Sequence, residues 1–140
     1  MKAKMIVAVA TISIAASFAA GCRSANSSEE KVIKSVKSGE LTITLSSSTG
    51  ELKNGENDLT ITFFDGAGKP VDVGAASLNF HMAAMGSMAE MNDRATLTTT
   101  EAPGKYRAQV NIEMAGSWEA QVKYQGRHGS GRESMTVQAK

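Results

Sequence analysis

The 140-residue chain has one cysteine, Cys22. No disulfide can form within the chain, and no cysteine cluster is available to hold a metal or act as a redox pair. Charge of one sign is missing as well. Fifteen basic residues stand against fourteen acidic ones, so no basic field exists to hold nucleic acid or an anionic surface by charge alone. Long apolar runs are limited to Met5–Phe18, which is shorter than the roughly 20 residues a bilayer-spanning helix needs. No long helical period competes with the alternating patterns described below. Catalytic signatures are absent too. The two histidines, His81 and His128, lie in segments with no recognisable nucleophile or acid partner, Gly129-Ser130-Gly131 lacks the strand-to-helix setting of a nucleophile elbow, and no phosphate-cradling glycine pattern occurs. The chain is therefore read as a non-enzyme.

What is present begins with an export signal. Lys2 and Lys4 precede the apolar run, which ends at Ala19-Ala20-Gly21 directly before Cys22. This stretch resembles the lipobox of bacterial lipoproteins, with residues 1–21 removed and Cys22 lipid-modified. Ala19 stands where that motif usually has a larger aliphatic residue. The alternative is an ordinary signal peptide cleaved to leave a free thiol, a liability in an oxidising compartment. Without the two leader lysines, thirteen basic residues face fourteen acidic ones, and the mature length suits one domain. Residues 22–38 read as the lipidated cysteine and a polar, Ser-rich tether, with a short amphipathic helix over residues 29–36 as a weaker reading. Arg23 follows the anchor in place of the Asp of an inner-membrane retention signal. The expected location is thus the cell envelope, outside the cytoplasm, on the outer membrane if the cell has two.

From residue 39 to 140 the period changes to two. Leu41, Ile43 and Leu45 alternate with threonines, as do Leu59, Ile61 and Phe63, and turn residues bound each run. Further strands are expected at residues 77–82, 94–100, 106–112 and 118–124 and around Met135 and Val137. About seven short strands with such punctuation predict an all-β, immunoglobulin-like β-sandwich, with a small closed barrel as the alternative.

One segment carries chemistry. Residues 80–91 hold Met82, Met85, Met88 and Met91, four of the eight methionines, at a spacing of three. Neither a strand nor an α-helix would converge sulfurs so spaced, so an irregular or 3₁₀-like loop is expected, eased by Gly86 and the small Ala83, Ala84, Ser87 and Ala89. Thioether sulfur is soft and selects Cu(I), with Ag(I) as its mimic, and His81 would add an imidazole. The competing reading is that methionine fills core. Met82 is its best candidate, sharing a strand face with Leu78 and Phe80. Trp118 reads as a core anchor before a metal-facing ring, while Met114 either reaches the metal or packs beneath Trp118.

His81 to Met91, then Gly104-Lys-Tyr106 and Ala115-Gly116-Ser-Trp118 in that order, resemble the YtkA-like domain family, related to FixH-type proteins, over about residues 39–138. The resemblance implies a small extracytoplasmic β-sandwich, and some members occur with copper or heavy-metal efflux components. It also implies ligand positions at Met82, Met85, Met88 and Met91. The prolines usual in that loop are replaced here by Ala83 and Ala89, so a looser site is expected. Two functions follow as expectations. The first is a lipid-anchored protein that binds Cu(I) or Ag(I) through the Met-rich loop for buffering, delivery or efflux. The second is an interaction module whose methionines dock an efflux adaptor or oxidase-assembly protein without metal.

Overall fold

The computed structural model describes residues 29–140, so the leader, Cys22 and the first part of the expected tether lie outside the described residues. Nine strands follow in order: β1 Lys31–Ser38, β2 Leu41–Ser47, β3 Gly55–Phe64, β4 Ala75–Met82, β5 Met91–Arg94, β6 Thr96–Thr99, β7 Lys105–Ile112, β8 Gly116–Gly126 and β9 Gly129–Ala139. They form two antiparallel sheets, ordered β1-β2-β3-β7-β6 and β5-β4-β8-β9. The expected immunoglobulin-like sandwich is the observed architecture.

Alternation explains the layers. Leu41, Ile43 and Leu45 of β2, Leu59, Ile61 and Phe63 of β3, and Tyr106, Ala108, Val110 and Ile112 of β7 turn inward from one sheet. Leu78, Phe80 and Met82 of β4 and Trp118, Ala120, Val122 and Tyr124 of β8 meet them from the other. The ring of Phe63 packs edge-on against Tyr106 and Tyr124, with centroids 5.8 and 5.5 Å away. Both phenols are satisfied at the core's margin: the Tyr106 hydroxyl donates to the Gly74 carbonyl at 2.9 Å, and the Tyr124 hydroxyl pairs with Ser38 Oγ at 2.9 Å.

Two differences from the expected strand set have local causes. Residues 31–38, assigned above to the tether or to a short helix, form β1 and pair with β2 from Lys31 opposite Ser47 to Ser38 opposite Leu41. A register shift between Val32 and Lys34 breaks the alternation, and that bulge hides a strand from any period-two reading. The strand expected over residues 94–100 is divided at Ala95. There the chain leaves the β4 sheet and joins the β7 sheet, with the Ala95 amide donating to the Leu78 carbonyl at 3.0 Å.

Candidate functional site: a methionine hairpin

The strands β4 and β5 are joined by residues 83–90, all exposed. Their ladder sets Phe80 opposite Asp93, His81 opposite Asn92 and Met82 opposite Met91. At the tip, the Met85 amide donates to the Met88 carbonyl at 3.1 Å and the Met88 amide donates to the Met85 carbonyl at 2.9 Å. Gly86 and Ser87 are thus the two central residues of a tight hairpin turn. Gly86 has a φ of 58°, and among the described residues none other than glycine has a positive φ, which identifies the type II′ geometry.

The spacing of three now has a structural meaning. Met82 with Met91, and Met85 with Met88, are mirror positions about the Gly86-Ser87 turn. The segment is a hairpin, where an irregular loop was expected, and the methionines meet as two cross-strand pairs. The signal was in the sequence: Gly-Ser between two apolar runs is a hairpin turn dipeptide.

The pairs differ in surroundings. Met82 is 3% exposed and belongs to the core, while its partner Met91 is partly buried against that core. Met85 and Met88 are 61% and 41% exposed. An odd number of positions from Met82 to Met85 carries the chain from the inward to the outward side. Room for Met82 comes from Gly116, where a Cβ would stand 3.1 Å from Met82 Cε. The neighbouring indole is core as well. Trp118 is 1% exposed and its Nε1 donates to the Met114 carbonyl at 2.9 Å. The partly buried Met114 side chain packs against the core.

His81, next to Met82, faces the other way. Its Nε2 lies 3.1 Å from Glu90 Oε2, and the β4–β8 register sets it opposite Glu119. Glu90 was not singled out from sequence, although a turn centred on residues 86 and 87 brings it back alongside β4. Asp93 is buried and accepts the Glu113 amide at 3.1 Å, which ties the hairpin's base to the end of β7. Among the described residues, no group of three or more His, Cys, Asp or Glu side chains is placed to hold a metal ion. The soft donors the tip exposes are the two thioethers of Met85 and Met88, a ligand type that suits a soft monovalent ion.

Residues 35–123 match the family described as YtkA-like. No curated protein matches the chain. Among solved structures, a DUF4426 family protein from Pseudomonas aeruginosa PAO1 is similar at 12% identity and a TM-score of 0.53, over 75% of this chain and 94% of that one. This likeness shows the fold alone. FetP of uropathogenic Escherichia coli strain F11 is matched in two forms, each over 79% of this chain and 95% of that one. A copper-bound variant has 7% identity and a TM-score of 0.44, and the as-isolated protein has 10% and 0.46. Both of these are loose likenesses of architecture only.

Proposed function

This chain belongs to the YtkA-like family, and from that premise we propose that it is a non-catalytic carrier of Cu(I), with Ag(I) as its mimic, in the cell envelope. The observation that carries this reading is the exposed Met85 and Met88 pair, held on one hairpin tip by reciprocal backbone hydrogen bonds. Two thioethers that leave coordination positions open suit capture and release better than permanent storage. On this reading the metal is cargo, and a neighbouring envelope protein of efflux or oxidase assembly completes its coordination sphere. His81 stands behind the tip as a further donor, and Met82, with Met91 opposite it, serves as the packed base of the hairpin. Lipidation at Cys22 would anchor the carrier outside the cytoplasm.

The same exposure supports the second reading, a docking tip that uses no metal. Anaerobic competition for Cu(I) against a chromogenic chelator separates the two. Wild type is expected to withdraw metal from a chelator of moderate affinity. The double variant Met85→Leu/Met88→Leu, which keeps apolar volume and removes sulfur, is expected not to. Equal uptake by both proteins removes the tip from the metal site, and no uptake by wild type leaves the docking reading.

A further inference from the structure

We propose that Met85 and Met88 form a reversible oxidation site, at which conversion of the thioethers to sulfoxides by a hydroperoxide releases the bound metal while the sandwich remains folded. The inference rests on the metal-carrying role given above to the same tip. Its basis is a sharp sorting of the six methionines among the described residues. Met85 and Met88 are 61% and 41% exposed, Met91 and Met114 are partly buried, and Met82 and Met135 are 3% and 4% exposed. Thioether oxidation follows access to the sulfur.

The step balances with the peroxide alone. A sulfur lone pair attacks the hydrogen-bearing peroxide oxygen, an S–O bond forms as the O–O bond breaks, and the proton of the attacked oxygen passes to the departing one. The departing oxygen leaves as water, or as an alcohol from an organic hydroperoxide. Sulfur loses two electrons and the peroxide gains them. The product presents a hard, polar oxygen where a soft sulfur stood, so its match to a monovalent soft ion is lost.

A switch must also spare the fold, and here the two pairs part. Neither Met85 nor Met88 belongs to the core. The tip is shaped by backbone hydrogen bonds and by the Gly86 conformation, neither of which requires a reduced sulfur. Met82 is the opposite case, because its Cε lies 3.1 Å from where a Cβ on Gly116 would stand and the side chain is enclosed. An added oxygen there would have to displace core. Residues 83–90 are all exposed, so a sulfoxide reductase can also reach the modified tip.

The test uses the metal-free protein. Ag(I) uptake is first measured on unoxidised protein, and its absence there overturns the carrier reading and the switch that rests on it. Hydrogen peroxide is then titrated, with peptide mass mapping of each methionine. Met85 and Met88 are expected to reach half conversion at a dose about tenfold below that for Met82 and Met135. The doubly oxidised protein is expected to keep its melting temperature within about 2 °C, to lose Ag(I) uptake, and to regain it after methionine sulfoxide reductase treatment. In Met85→Leu/Met88→Leu the early oxidation wave should vanish. Oxidation of Met82 or Met135 at the same dose as the tip, unfolding on tip oxidation, or undiminished Ag(I) uptake by the oxidised protein each overturns the switch. The last two outcomes leave the carrier reading standing.

Discussion

Met85 and Met88 each donate a backbone amide to the other's carbonyl, at 3.1 and 2.9 Å. Directly opposed residues of an antiparallel pair project to the same side of the ribbon, so this backbone exchange sets the two side chains on one side of the hairpin. It also separates the tip's chemistry from the fold's stability. Met85→Ala is expected to change unfolding free energy by no more than about 0.5 kcal/mol. Met82→Ala, which empties an enclosed core site, should lose about 2–5 kcal/mol. Urea denaturation of the two variants checks the contrast, and equal losses would contradict it.

Gly86 sets the tip by conformation alone. A Cβ there would meet nothing within 4 Å, yet its φ of 58° disfavours any side chain. Gly86→Ala is therefore expected to destabilise the turn by about 1–2 kcal/mol with little change in global melting. The readout is faster hydrogen exchange at the Met85 and Met88 amides, together with weaker Ag(I) uptake.

Gly116 couples to Met82. Its φ is 142° and a Cβ would stand 3.1 Å from Met82 Cε. Gly116→Ala should destabilise by about 1–3 kcal/mol through crowding and backbone strain. Combining it with Met82→Ala removes the crowding and leaves the strain, so the double variant is expected to be less destabilised than the two single losses together, by about 1 kcal/mol. Strict additivity would show that the two positions do not press on each other.

Tyr106 gives the fold an alkaline limit. Burial first, and then the Asp72 carboxylate beside it, raise its pKa above the ordinary tyrosine value, because both disfavour the phenolate. The folded state therefore holds this proton more tightly than the unfolded chain. The contribution is fully present below the unfolded pKa of about 10 and is lost as pH rises through the higher folded value. Stability measured from pH 8 to 11 should fall at the alkaline end. Tyr106→Phe should lower stability near neutrality by about 0.5–1.5 kcal/mol, through loss of the hydrogen bond to Gly74, and should make the alkaline decline shallower. An unchanged alkaline slope in that variant would assign the decline to other groups.

Most of the sandwich is legible because burial on one face of a strand forces alternation. Leu41, Ile43 and Leu45, or Tyr106, Ala108 and Val110, announce their strands wherever the ladder is regular. The failures fall where the ladder is not. A bulge after Val32 removed the period from β1, and a change of sheet at Ala95 cut the strand read over residues 94–100 to β6, leaving Arg94 at the end of β5. At the methionines, residue type and turn chemistry are both visible, but a spacing of three has no convergent meaning within a single strand or helix. The relevant geometry is a reflection through Gly86-Ser87, which only a paired strand supplies.

By itself, the order of residues settled that the folded part is all-β, that soft sulfur gathers in one short segment, and that Met82 shares an inward face with Leu78 and Phe80. Local preference is enough for such properties, since each depends on neighbours two or three positions away. Which sulfurs face water was decided only in the folded molecule. Met82 is enclosed at the end of β4 with its Cε 3.1 Å from where a Cβ on Gly116 would stand, more than thirty positions along the chain. Met85 and Met88 stay outside because the turn carries them beyond the last strand that could cover them.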